Sequence, residues 1–531
     1  MKPIFWFGLF VFVVMCAGFG HAANALELRV TTSLDLVNCA SGVALAAGPD
    51  AGKVPAPGDT CVLDPGTYTL PVVVTLQNLK IFSRDGKLVT RISAPVTVAA
   101  GINGVTLGGP GVDQGVAING AAGVGLTVLS IDNFTLQNSD VINNAAAGIV
   151  VGTAGSVRNF QFLNVVVRGN AGAGLSVLRT SSVSNLSISD ATFESNTGSH
   201  ISFANGGEVS GFALRNSTLR TAGGGGSGVL FAAAVTGVRI SEISNTMVEG
   251  SAAFGVRFAN GGRVQGFSFA DVRCNSNVGG NAFFSNGGDV SDVDVDGSSF
   301  SRSGAGFGMG FANGGGVEGL NVADSEFDQN ATVGFAVAAL PDDFADSRFT
   351  GNRFRNNVTH GFFAGLTTNS IKDLDFRNND FSQNTMVGAF LFTTLGDIAG
   401  LGFDGDRFTK NGTLGLDVNT GVGPVPGAGD IGEFTFSNVV ASENGAGPGT
   451  GIRLMSLSDG DVVNVDVTGS DISNNGGFGL QLASMGGGGT TPGEAGWVTF
   501  QNTPATAKAT RAPGGWGAGW LFFGRRGAAG S

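Results

Sequence analysis

Three acids and one base recur at a spacing that could bring them together: Asp346 and Asp373 stand 27 residues apart, and so do Arg348 and Asp375. If the chain returns on itself once every 27 residues, the members of each pair become neighbours about 4.8 Å apart, the separation of hydrogen-bonded strands. Carboxylates that close must share a proton or a cation. Asp346 and Asp373 are therefore candidate Ca²⁺ ligands, and Asp346, Arg348, Asp373 and Asp375 together are the candidate catalytic set. The plainer reading is a solvated ladder of ion pairs, whose net contribution is small. No cofactor other than Ca²⁺ is suggested by the residues present.

A second set could contact a ligand without transforming it. On the segments before the recurrent glycine-rich corner, the positions expected to face outward read Val150, Ser176, Ser202, Leu230, Arg257, Phe283, Gly310, Ala336 and Phe363, then Asp417, Arg453 and Gln481. Arg257, Phe283 and Phe363 are the candidate binding residues. No acid stands in that column before Asp417, so the strip suits contact with another surface better than acid–base work. His200 stands where several repeats have glycine, and His360 precedes Gly361; both read as structural. Spacings for zinc, a phosphate loop or a nucleophile elbow are missing.

These placements depend on a unit of about 27 residues that returns thirteen times. Its core is an apolar residue, any residue, Asn/Asp/Gly, two residues, an apolar residue, two residues, and usually Asn. Copies begin at Leu136, Phe162, Ile188, Leu214, Ile243, Phe269, Val295, Val322, Phe349, Phe376, Phe403, Phe436 and Val467. Within each copy, short runs alternate apolar and polar residues, as in Gly266-Phe-Ser-Phe269, and no window has a helical period. Three short strands and three turns fill one unit. A lone unit cannot bury its apolar side, so units must stack around a shared core. The predicted fold is all-β: a right-handed parallel β-helix of about 14–15 rungs, three short strands in each. The third position tolerates a left-handed backbone at a tight turn. The closing Asn144, Asn170, Asn196, Asn277, Asn330, Asn357, Asn384 and Asn411, with Asn444 and Asn475, should form a hydrogen-bonded ladder along one corner. Four corners read Asn-Gly-Gly, from Asn205, Asn260, Asn286 and Asn313, and are expected to be tight turns with positive φ.

On these residues the chain resembles the pectin-lyase-like superfamily of right-handed β-helix proteins over nearly all of its length after the leader, and Gly58 to Tyr68 resembles the opening rung of many secreted members. The resemblance implies a fold more than a function, because that fold hosts lyases, hydrolases, epimerases and inert surface proteins. The His360-Gly361 pair is similar to the His-Gly of the family's galacturonases, without their paired aspartates.

The ends set the context. Residues 1–25, with Lys2, an apolar run from Ile4 to Gly18 and Ala23-Asn-Ala25, read as a secretory signal peptide, too short for a membrane span. Residues 26–75 read as an N-terminal cap and first rung, 76–495 as the β-helix, and 496–531 as a tail or cap whose Gly514 to Arg526 resembles a shortened bacterial sorting signal. In an exported chain Cys39 and Cys61 should be bridged, and Cys274, replacing a core aromatic, should be a buried thiol. A formal charge of −12 argues against nucleic acid as a partner. Long insertions fall late, at Ala338 to Asp343, Ala364 to Ser370, Asn419 to Asp430 and Ala483 to Gly493, which makes the later half of that flank the expected recognition region. The inventory first suggests a secreted or cell-surface, non-catalytic scaffold for adhesion, matrix or polysaccharide contact, not an integral membrane protein. The alternative is a polysaccharide-acting lyase, hydrolase or epimerase. Whether it is a monomer or assembles end to end or laterally is open.

Overall fold

The computed structural model describes residues 25–501 apart from 130–131, 153–154, 179–180, 339, 422–428, 446–448, 457–459 and 485–497. The expected leader, the tail beyond 501 and Trp497 lie outside the described residues. Each strand pairs in parallel with its counterparts one turn earlier and later, for example Phe344–Thr350 with Ile371–Arg377 and then Ile398–Asp404. The chain thus winds through about 15 right-handed turns, as parallel crossovers do. One face runs from Val72–Val74 to Leu480–Ser484 and is called the first face here. The second runs from Glu27–Val30 to Val498–Gln501, so its last described strand lies past the boundary expected at 495. The third face is a ladder of three-residue strands as far as Arg273–Asn275, then continues as single bridges through Ser299, Glu326, Arg353, Asp380 and Arg407.

Alternation explains why these segments become strands. In Ile371–Arg377, Ile371, Leu374 and Phe376 are buried while Lys372, Asp373 and Arg377 are exposed. Inward residues of successive turns are held at the strand spacing, so aromatic side chains stack in files. Phe203, Phe231, Phe258, Phe284 and Phe311 follow one another at ring separations of 4.9, 4.9, 4.3 and 4.5 Å. Phe327, Phe354, Phe381 and Phe408 form a second file at 5.0, 4.9 and 4.8 Å. Burial of each phenylalanine contributes roughly 1.5–3 kcal/mol, and edge-on contacts between files, such as Phe258 with Phe267 at 84°, add to it.

The asparagine ladder forms in two runs, Asn144 to Asn196 and Asn330 to Asn475, with Asn277 between them. Asn330 donates its backbone N–H and Nδ2 to Asn357 Oδ1, at 3.0 and 3.1 Å, while Asn357 Nδ2 donates to the carbonyl of Phe327. The same pattern continues through Asn384, Asn411, Asn444 and Asn475. A second, shorter amide column, through Asn352 and Asn379, ends on the buried carboxylate of Asp406. The third position of the repeat is left-handed in all thirteen copies, from Asn138 at φ 51° to Gly469 at φ 60°.

The Asn-Gly-Gly corners depart from expectation, because none of their glycines has positive φ. Their need for glycine is close approach between turns. A Cβ on Gly207 would lie 1.3 Å from the Ser181 carbonyl oxygen, and one on Gly262 1.7 Å from that of Thr236. Each asparagine side chain then donates across its own corner, as Asn260 Nδ2 does to Gly262 O at 2.8 Å.

The N-terminal end is closed by the helix Ser33–Ser41, which buries Leu36, Cys39 and Ala40. Thr32 Oγ1 accepts the Asp35 N–H as its cap, and Cys39 is disulfide-bonded to Cys61 on the strand Thr60–Leu63. Cys274 is a fully buried thiol whose pKa burial pushes up, so it carries no thiolate chemistry.

Candidate functional site

Asp346 and Asp373 lie in adjacent turns on the second face, at φ 50° and 55°. Every turn from Asn159 to Asn464 bends at this position. Asn159, Asn185, Ile240, Asp292, Glu433 and Asn464, and the glycines 211, 266, 319 and 400, all share the left-handed backbone. Aspartate is therefore accounted for here by backbone preference, without invoking a ligand. Around the pair, Lys372 meets Asp343 at 2.6 Å, and the Lys372 ammonium is further stabilised by the nearby carboxylates of Asp373 and Asp346. Arg348 reaches Asp375 at 3.3 Å, and Arg377 meets the same carboxylate at 2.9 Å. The structure thus brings the four candidates together with Arg348, Asp346 and Asp373 exposed and their neighbours supplying cations. No cluster of three metal-ligating side chains occurs among the described residues.

The first face holds a more varied set of groups. Its central outward column contains Arg257, Phe283, Gly310, Ala336, Phe363, Phe390, Asp417, Arg453 and Gln481 in strand register. The column beside it holds Phe254, Gly280, Val387 and Leu414, and His360 pairs into it through Val387. Two aromatic patches result, separated by the small residues Gly310 and Ala336. In the first, Phe283 packs on Phe254 and Phe307 at 5.1 Å each, and the Arg257 guanidinium lies 5.2 Å above the Phe254 ring. In the second, His360 stacks on Phe390 at 5.6 Å and tilts against Phe363 at 5.7 Å. These aromatic rings are half-buried and support one another.

Directly beyond Phe390 the column becomes charged. Asp417 is outward on its strand yet only 3% exposed, and both of its oxygens are taken by Arg453, through Nε at 2.7 Å and Nη2 at 2.5 Å. That fork orients the guanidinium and leaves Nη1 with no partner among the described residues. His360 has its pKa lowered by burial, an effect only partly opposed by the Asp417 charge. Its imidazole is thus neutral at pH 7, and its buried Nδ1 has no partner among the described residues. His360 and Asp417 lie two turns apart and three residues apart along the strand direction, with Phe390 in the turn between them. A sugar ring stacked on Phe390 would meet a neutral base on one side and an oriented cation on the other. The residues the sequence reading overlooked, Phe254, Phe307 and Phe390, were marked by their turn spacing; Phe390 is 27 residues after Phe363.

His360 and His200 differ in role: His360 stands beside a column of glycines, and His200 stands within it. In Gly334, Gly361, Gly388 and Gly415, an added Cβ would lie 2.4–2.6 Å from the carbonyl oxygen of the glycine one turn on. Gly361 is thereby explained by turn packing, not by the His-Gly resemblance. His200 and Asn281 replace glycine in this column, and each sits where the asparagine ladder is interrupted. After Asn196 the next ladder position is Ala222, and His200 Nδ1 meets Asn196 Nδ2 at 3.2 Å. After Asn277 the next is Ser303, one turn on, and Asn281 Oδ1 accepts from Asn277 Nδ2 at 3.0 Å. His200 is a ladder patch, as its structural reading anticipates.

Residues 227–399 match the family model described as the right handed beta helix region. No curated protein matches the sequence. Among solved structures, the chain is similar to the A-module of a mannuronan C-5 epimerase from Azotobacter vinelandii, at 15% identity and a TM-score of 0.31 over 78% of this chain and 90% of that one. It is also similar to a PL6 family alginate lyase, at 10% identity and a TM-score of 0.36 over 91% and 99% of the two chains. A third, the catalytic domain of a GH87 α-1,3-glucanase, is 10% identical with a TM-score of 0.31 over 60% of each. At these values the likeness is one of winding.

Proposed function

We propose that this chain, a right-handed parallel β-helix repeat protein, is an exported polysaccharide-acting enzyme of the lyase or epimerase type that works on its first face. The observation that carries the proposal is the flanking of the Phe390 platform by a neutral, uncommitted imidazole at His360 and by Arg453, locked in place on Asp417. A face repeated every turn suits a linear polymer, and the aromatic patches around Phe283 and Phe363 supply stacking surfaces for successive sugars. Hydrolysis of a glycosidic bond ordinarily takes two carboxyl groups on one site. Among the described residues of this face's central column, Asp417 is the one acid, and Arg453 occupies it. Proton abstraction next to a sugar carboxylate needs one base and a cation to hold the developing charge, which His360 and the free Nη1 of Arg453 provide. Export rests on the leader-like residues 1–25 and accords with the Cys39–Cys61 disulfide.

The test is incubation of the protein with alginate, polygalacturonate and a neutral glucan, following unsaturated ends, reducing ends and epimer content. Activity on an acidic polymer is expected, with kcat/KM falling about 10²-fold or more in His360→Gln and Arg453→Gln and unchanged in Asp346→Asn/Asp373→Asn. Full activity in His360→Gln would sink the assignment. Binding weakened by Phe283→Ala or Phe390→Ala, with no product from any polymer, would return the face to non-catalytic contact.

A further inference from the structure

A pocket of about 180 Å³ opens on the third face, around the turns that carry Phe354, Phe381 and Phe408. It is lined by Arg355, Asp380, Ser382, Arg407, Lys410 and Glu443, among others. Three cations thus meet two carboxylates on a chain whose formal charge is −12. The internal pairings are loose. Arg355 Nη1 lies 3.7 Å from Asp380 and Lys410 lies 3.8 Å from Glu443, both beyond hydrogen-bond distance. Ser382 donates its hydroxyl to Asp380. Arg407 has no ion pair among the described residues, and Arg355 Nε is buried with no hydrogen-bond partner among them. Donors are therefore in surplus, and Arg407 is held beside Asp380 by a strand bridge.

Volume and chemistry limit what could fill this space. Liquid water takes about 30 Å³ per molecule, so the pocket displaces roughly six waters, the bulk of one sugar ring. The pocket is open to solvent on one side, so one sugar ring can enter it directly. Asp380 and Glu443 would repel a compact multiply charged anion, yet they accept hydrogen bonds from hydroxyl groups. The guanidinium of Arg407 matches a carboxylate in both charge and planar geometry.

We infer that this pocket binds a single uronic acid unit, its carboxylate on Arg407 and Lys410 and its hydroxyl groups on Asp380 and Glu443. The pocket lies on a different face from His360 and Arg453, so the inference does not depend on the reaction proposed there. Calorimetric titration of the full chain carrying Arg453→Gln, which removes the oriented cation of the first face, tests it with D-galacturonate, D-glucose and sulfate as probes. Galacturonate should bind in the millimolar range, more weakly as salt is added, with glucose and sulfate at least tenfold weaker. A further Arg407→Gln change should weaken galacturonate at least tenfold, with the thermal midpoint unchanged because Arg407 is exposed. Equal binding of glucose, equal binding of sulfate, no heat with galacturonate, or indifference to Arg407→Gln would each overturn the assignment.

Discussion

Asp406 and His200 are buried ionisable groups with opposite effects on stability. Burial pushes the Asp406 carboxyl up to about 7, against the hydrogen bonds it accepts from Asn379. The native state therefore holds a proton that the unfolded chain releases above about pH 4, and stability falls as pH rises from there to about 7. The slope is at most about 1.4 kcal/mol per pH unit. His200 behaves in the other direction. Burial lowers its pKa to about 4, so the unfolded chain binds a proton first and stability falls as pH drops below its ordinary 6.5. Thermal midpoints between pH 4 and 8 should separate the two. Asp406→Asn, which extends the Asn352–Asn379 column with another amide, should gain stability over the parent at pH 8 and lose that advantage by pH 4. An advantage independent of pH would mean that Asp406 is not protonated in the fold. Single residues were the least legible level of this sequence. Asp346 and Asp373 suggest a metal because they are acids, and only the backbone shows that they share a bend with Asn and Gly. Asp417 and Arg453 lie 36 residues apart, off the 27-residue beat, because the intervening turns carry inserted residues.

At the scale of the element, the thirteen apolar positions, the left-handed third position and the closing asparagine were all legible, since each is imposed by a geometry that every turn repeats. Less legible was the second left-handed column, just before the ladder. It holds Ser195, Arg302, Gln329, Gln383, Lys410 and Glu443 as well as Asn and Gly, because the neighbouring turns impose the backbone whatever the side chain. The ladder offers a direct measure of what a turn contributes. Asn357→Ala strips the acceptor from the Asn330 N–H and Nδ2 and removes a donor from the Phe327 carbonyl, all in the interior. Each buried polar group left unpaired costs about 1–3 kcal/mol. Urea unfolding should show a loss of roughly 3 kcal/mol, whereas Asn378→Gly, at a left-handed exposed position, should change little. A similar loss in both would point to backbone conformation rather than the amide column.

At the scale of the whole molecule, a strand hydrogen-bonds only with the turn before and the turn after, so stability is distributed along an axis instead of around a centre. The beginning of that axis is protected by the helix Ser33–Ser41 and its disulfide, and no helix among the described residues is long and apolar enough to cross a membrane. The stacking register has a mechanical consequence. The bonds that join turns point along the axis, so a pull between the two ends loads one interface at a time and peels turns from the weaker end. Each 27-residue turn released should lengthen the tether by about 90 Å, taking roughly 3.4 Å per extended residue. Single-molecule extension at constant speed should give a staircase of nearly equal steps from the regular region between Phe269 and Phe403, with longer ones where inserted residues come free. One large step would mean that the stacked turns yield together.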